Sequence, residues 1–158
     1  MGVLIDLDNL LDRLRPLRPK NKVVFTNGCF DIIHAGHVDY LEKAKRLGDV
    51  LVVGLNSDSS VRRIKGDKRP IIPEKMRAKV LCGLEPVDYV VIFDEDTPIR
   101  LIEAIRPDVL VKGGDWTPDR IIGRELVESY GGRVVTIPVE FDISTTKIVE
   151  KIVKLYCP

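Results

Sequence analysis

Long apolar runs are missing from this 158-residue chain. No stretch approaches the ~20 residues that cross a bilayer as a helix, so no membrane partner is expected. An excess of one charge is missing as well. Twenty-five Lys and Arg stand against 24 Asp and Glu, a net charge of +1, whereas a dedicated nucleic-acid binder would normally be strongly basic. The amino terminus, MGVLIDLDNLLDRLRP, has acids where a signal peptide would carry lysines and lacks a continuous apolar core. It reads as an amphipathic leading helix. Cysteine is scarce: Cys29, Cys82 and Cys157 are an odd number without framework spacing, which fits reduced thiols in a cytoplasm. Repeats, low-complexity segments and internal linkers are absent. So are the GxxxxGK[ST] loop, the GxGxxG fingerprint, and any HExxH or CxxC pattern. A nucleotide, if one binds, is held by a different device.

What is present is ordinary globular composition, 44% hydrophobic and 31% charged, at a length suited to one domain with one core. Valine-rich runs at 22–27, 49–56, 87–93, 108–115 and 133–139 alternate with segments of helical spacing. Five strands interleaved with helices imply βαβ units, hence a five-stranded parallel sheet of the α/β class with helices on both faces. Strands apolar throughout fit burial on both sides. Residues 1–20 are expected as a helical extension and 21–158 as the domain proper. Gly48 is expected to cap the first domain helix. Thr97 is expected as an N-cap followed by Pro98 at the first helical position, and Ser144 or Thr145 as the cap of the last helix.

Ligands of open α/β sheets bind beyond the carboxyl ends of the strands, where strand order reverses. In this chain those ends carry TNGCFDIIHAGH, NSD (56–58), KGGDW (112–116) and FDISTT (141–146). Both histidines, His34 and His37, fall in the first of these. At a helix start, unpaired backbone N–H groups and the helix dipole favour an anion, and Gly28 and Gly36 allow close approach. Two imidazole donors three residues apart suit a phosphoryl group. A metal would need a third ligand, for which Cys29 and Asp31 are candidates. Local hydrogen bonding by two helix-start histidines is the remaining reading.

TNGCFDIIHAGH together with ISTTKI resembles the nucleotidyltransferase superfamily with the HxGH signature. The resemblance runs from Lys22 to about Ile152, with the motifs in matching order. Within that superfamily NGCFDIIHAGHVDYLEKAKRLGD, GLNSDSSVRRIKGDKRPI, EDTPIRLIEAIRPDVLVKGGDW and the STT tail look most like heptose 1-phosphate adenylyltransferases, which form ADP-heptose. Those occur alone or fused to a sugar kinase, and this chain would be the stand-alone form. Glycerol-phosphate cytidylyltransferases share the STTKI tail but carry an arginine ahead of it, where this chain has VEFDISTTKI. Archaeal FAD synthetases share the first motif and a KPIIP-like loop, without KGGDW. A cytidylyltransferase, an FMN adenylyltransferase and a non-catalytic nucleotide sensor are the alternatives.

The resemblance implies a Rossmann-like fold, with ATP bound together with Mg²⁺ and no metal held by the protein itself. The second substrate is a sugar phosphate and the setting is the cytoplasm, in lipopolysaccharide core or surface glycan synthesis. Related enzymes are often dimers or larger. By resemblance, His34 and His37 contact the triphosphate, and Gly28, Cys29 and Phe30 offer backbone donors near the α-phosphate. Lys65 swings over the phosphates on a mobile loop, and Arg77 is a further phosphate contact. Ser144, Thr145 and Thr146 take the β- and γ-phosphates. Lys112, Gly113, Gly114 and Asp115 hold the adenosine side, where Trp116 could stack. Asp31, Asn56 and Asp58 face the sugar phosphate, together with Lys65.

Overall fold

The computed structural model describes residues 1–114 and 117–158; Asp115 and Trp116 lie outside the described residues, and so does what was expected of them. The strands are β1 (Val3–Leu4), β2 (Val23–Gly28), β3 (Val50–Asn56), β4 (Tyr89–Phe93), β5 (Val109–Gly113) and β6 (Arg133–Ile137). The α-helices are α1 (Leu7–Leu14), α2 (Ala35–Lys45), α3 (Asp58–Lys65), α4 (Glu74–Cys82), α5 (Ile99–Ile105), α6 (Arg124–Ser129) and α7 (Thr145–Tyr156).

All six strands join one sheet in the order β1-β4-β3-β2-β5-β6, and every pairing is parallel. The sheet has one strand more than the five expected. The extra one comes from the amino-terminal segment expected as a helix: Val3 and Leu4 pair with Tyr89 and Val90 before α1 begins. Two exposed residues carry no alternation from which a strand can be read.

Both faces of the sheet are covered, as uniformly apolar strands require. On one face Phe25, Val52 and Leu110 pack with Leu10 and Leu14 of α1, Leu101, Ile102 and Ile105 of α5, and Val127 of α6. On the other, Val24, Leu51, Val53, Leu55 and Val111 pack with Leu41 and Ala44 of α2 and with Ala78 and Leu81 of α4. Successive residues of one strand thus enter opposite cores, the period of two that a pleated strand imposes.

Two expected caps differ. Arg46, not Gly48, caps α2, with its N–H bonded to Glu42 and Ala44 carbonyls. Pro98, not Thr97, precedes α5, because its carbonyl accepts the Ile102 N–H that closes the first turn. The remaining caps follow sequence logic: Ser57 Oγ accepts from Ser60 N–H and Ser144 Oγ from Lys147 N–H. Strand order reverses between β2 and β5. Sequence goes outward from β2 through β3 and β4 on one side and through β5 and β6 on the other, so the carboxyl ends of β2 and β5 flank the crevice.

Candidate active site

A cavity of about 620 Å³ opens at that crevice. The end of β2 and its loop supply Gly28, Cys29, Phe30 and Asp31 to its wall. Helix α2 supplies His34 and His37, and β3 supplies Asn56. Lys65 and Lys112 come from α3 and β5, and Ser144, Thr145 and Thr146 from the start of α7. A smaller cavity of about 330 Å³ shares the histidines and Lys112 and adds Tyr40, Gly113, Gly114 and the 137–140 segment. Residues more than 100 positions apart in sequence are thus brought together.

The histidines are held by their own backbone. Gly36 N–H donates to His34 Nδ1 at 3.1 Å, and His34 N–H donates to His37 Nδ1 at 3.3 Å. The rings stack with centroids 3.8 Å apart and planes 23° apart. An Nδ1 that accepts an N–H carries no proton, so in each neutral ring the proton sits on Nε2. Burial lowers the pKa of His34. Burial, reinforced by the neighbouring His34, pushes His37 down to about 4. At neutral pH the pair is two neutral Nε2–H donors on the cavity wall. Beneath them the Phe30 ring lies 5.3 Å from that of His37. A Cβ at Gly28 would meet Phe30 Cε2 at 2.9 Å, so glycine there makes room for this ring beside the strand end.

Lys65 and Lys112 line the same cavity. Burial and the nearby Lys65 lower the Lys112 pKa, partly offset by Cys29. Burial raises the Cys29 thiol against the pull of Lys65, Arg77 and Arg69, which keeps it neutral. Lys65 is the last residue of α3, not part of a free loop. The segment after it is anchored rather than loose. The Asp31 carboxylate accepts from Arg69 Nε at 2.8 Å and from Ile71 and Ile72 N–H at 2.8 and 2.9 Å.

Three expected ligands are spent elsewhere. Arg77 lines neither cavity and is 1% exposed. Its guanidinium donates to the carbonyls of Ile72, Cys29 and Asn56 and to Asp58 Oδ1, leaving at most one of five N–H groups. Asp58 lines neither cavity and is the partner in that pair, 2.8 Å away. Asp31 touches the cavity wall, but its carboxylate is buried and bound to the 69–72 segment. Asn56 lies between these cases: it lines the cavity while its Nδ2 donates to Ser60 Oγ at 3.1 Å. At the start of α7 the three hydroxyls divide their work. Ser144 caps the helix, Thr145 Oγ1 donates to the Asp31 carbonyl, and Thr146 is exposed.

Several wall residues were not expected at the site, although Ile64, Asp96 and Ile143 lie within the quoted motif stretches. Ile64, Asp96, Arg120 and Ile143 reach the cavity from four separate segments. Arg120 follows KGGDW closely, the one positional signal that could have flagged it.

Residues 25–151 match the family described as cytidylyltransferase-like. The chain belongs to the cytidylyltransferase-like family. Among relatives, it is 58% identical over 150 residues to the bifunctional protein HldE of Syntrophotalea carbinolica, covering 94% of this chain and 31% of that protein. It is 62% identical over 135 residues to the bifunctional protein HldE of Geobacter metallireducens, covering 85% and 28%. The chain therefore spans under a third of the length of these curated relatives. The crystal structure of a lipopolysaccharide core biosynthesis protein from Thermoplasma volcanium superposes with a TM-score of 0.62 at 30% identity, covering 77% of this chain and 99% of that one. Pantoate-beta-alanine ligase from Francisella tularensis, solved with beta-gamma ATP and beta-alanine, shares the Rossmann-like fold at 14% identity and a TM-score of 0.66. No helix among the described residues is long and apolar enough to cross a membrane, and no three His, Cys, Asp or Glu side chains among them converge on a metal position.

Proposed function

We propose that this family member transfers AMP from ATP to a heptose 1-phosphate, releasing pyrophosphate and forming ADP-heptose for lipopolysaccharide core or surface glycan assembly. The observation that carries the reading is the pair of neutral, backbone-locked imidazoles that share one cavity at the switch point with Lys65 and Lys112. Family membership and the high identity to the HldE proteins support it, and so does the likeness to the Thermoplasma protein.

A phosphate oxygen of the sugar phosphate attacks the α-phosphorus of ATP. The new P–O bond forms as the bond to the bridging α–β oxygen breaks, and pyrophosphate leaves with the electron pair. No covalent enzyme intermediate is needed, so the protein supplies position and electrostatics. His34 and His37 donate Nε2–H to α-phosphoryl oxygens as charge builds there, and a single such donor is worth roughly 10²–10³ in rate. Because the rings are neutral, they act as donors without needing to lose a proton. Lys65 and Lys112 balance the triphosphate together with the Mg²⁺ that arrives with ATP. The open N–H groups of α7, with Ser144 and Thr146, suit the β- and γ-phosphates. The smaller cavity, floored by Gly113 and Gly114, suits the adenosine. ATP as substrate is in keeping with a cytoplasmic setting.

The test crosses ATP, CTP and GTP with heptose 1-phosphates, glycerol 3-phosphate and FMN, read by pyrophosphate release. ATP with a heptose 1-phosphate is the expected pair. CTP with glycerol phosphate, or ATP with FMN, would replace this assignment. His34→Ala and His37→Ala should each lower kcat by about 10²-fold or more with ATP still bound. ATP binding without turnover in the parent would instead make it a sensor.

A further inference from the structure

The ladder between β2 and β5 is cut short. Val24 pairs with Val109 and Phe25 with Leu110, and pairing stops there. Yet β2 runs on to Gly28 against β3, and β5 runs on to Gly113 against β6. The next pair in register would be Thr26 with Val111. A side chain from α2 stands between them: Tyr40 Oη is hydrogen-bonded to Thr26 Oγ1 and donates to the Val111 carbonyl at 3.2 Å. A phenol has one proton. With that proton on Val111, the short contact to Thr26 is completed by the Thr26 hydroxyl donating to Tyr40. The phenol occupies the gap where the next ladder rung would form.

The ring has a fitted seat. A Cβ at Gly113 would lie 3.1 Å from Tyr40 Cε2 and 3.3 Å from Cδ2, so the absence of a side chain at 113 makes room for it. Tyr40 follows His37 by three residues on α2 and so shares its helix face. One residue therefore spans from the histidine turn to the strand end that carries Lys112 and Gly113, and it forms part of the wall of the smaller cavity.

We propose that Tyr40 is a positioning residue that wedges β2 apart from β5 at the switch point and sets the distance between the His34–His37 turn and the Lys112–Gly113 strand end. Its kinetic consequence rests on the nucleotide reading given above; the wedge itself does not. A shifted strand end mis-seats the nucleotide in ground and transition states alike, which appears in KM more than in kcat.

The test uses Tyr40→Phe, Tyr40→Leu, Gly113→Ala and the Tyr40→Leu/Gly113→Ala double variant. Tyr40→Phe is expected to raise KM for ATP about tenfold with kcat within about threefold and, with the Thr26 hydroxyl and Val111 carbonyl losing their partner, to lower Tm by about 2–12 °C. Gly113→Ala should raise KM in the parent but add less than about twofold once Tyr40 is leucine, because the ring it strikes is gone. A crystal structure of Tyr40→Leu should show Thr26 and Val111 paired, lengthening the ladder by one rung. A parental KM in Tyr40→Phe overturns the proposal, as do independent effects of the two sites or an unchanged split in the Tyr40→Leu structure. A parent that turns over no nucleotide would overturn the functional reading alone, and the crystallographic arm would still decide the wedge.

Discussion

Replacing Arg77 by methionine separates two roles for the most buried cation of the fold. The substitution keeps an unbranched chain of similar length in a site that is 1% exposed and removes four hydrogen bonds. Three of these end on the carbonyls of Cys29, Asn56 and Ile72, and the fourth on Asp58. Asp58 is 28% exposed on its side chain, so water recovers part of that loss. A buried acceptor left unpaired costs roughly 1–3 kcal/mol, and removing one partner of a buried ion pair costs roughly 3–5 kcal/mol. Taking the low end of each range, since the thioether recovers some packing and water reaches Asp58, a net loss of about 6 kcal/mol is expected. For a domain of this size 1 kcal/mol shifts Tm by roughly 2–4 °C, so Arg77→Met should melt about 12–24 °C below the parent. Calorimetry measures this directly, and ATP titration at a temperature where both proteins are folded measures the other role. A variant with parental Tm and sharply weakened ATP binding would refute the strut and restore Arg77 as a phosphate ligand.

Asp31→Asn places an amide against donors from Arg69, Ile71 and Ile72. It should cost about 3 kcal/mol, read as faster proteolysis between residues 66 and 70 and a lower Tm. Burial pushes the Asp31 carboxyl up, but the Ile71 and Ile72 amides and Arg69 outweigh it and hold it below the usual range. Its stabilisation is therefore present above the unfolded carboxyl pKa and lost as pH falls through the folded one. The Tm gap between parent and variant should narrow below about pH 4, and a constant gap would contradict the carboxylate clamp. His37 should titrate by NMR near its depressed value of about 4. The unfolded chain takes up that proton near 6.5, so stability should decline as pH drops from about 6.5 towards 4 and then level off; a midpoint near 6.5 would remove the neutral-donor argument. Thr145→Val deletes the hydroxyl that reaches the Asp31 carbonyl and should cost about 1 kcal/mol with ATP affinity nearly kept. A larger fall in affinity than in stability would put that hydroxyl on phosphate.

The valine-rich strands were legible because burial keeps their runs largely apolar, with polar residues gathered towards the strand ends, and the motifs at those ends marked the crevice. β1 was not legible: its two residues acquire meaning only beside β4, more than 80 positions away. The roles of Arg77 and Asp58 were hidden because residue type does not say which way a helix turns. A clue existed in Arg77 lying beside Ala78 and four residues before Leu81, both fully buried, which puts the arginine on the apolar side of α4. Tyr40 carried the same ambiguity. Spacing places it on the face of His37, but only the interrupted β2–β5 ladder gives its hydroxyl a function.

Under the proposed reading the residues that define the motif divide between those that would meet the ligand and those that hold these in place, and backbone strain explains why so many are of the second kind. Phe30 and Ile32, on either side of Asp31, have φ of +47° and +51°. That region costs a residue with a side chain roughly 1–2 kcal/mol, and such a conformation persists only where its surroundings over-determine it. They do so here. The Asp31 carboxylate is held from three donors, its carbonyl by Thr145, and the preceding Cys29 carbonyl by Arg77. Arg77 in turn binds the ends of β3 and of the 66–72 segment. On the proposed reading, the donors offered by His34, His37 and the start of α7 would therefore be fixed before a phosphate arrives. Donors fixed in advance require no reorganisation as charge develops, so a strut such as Asp31 can affect the rate without touching the substrate.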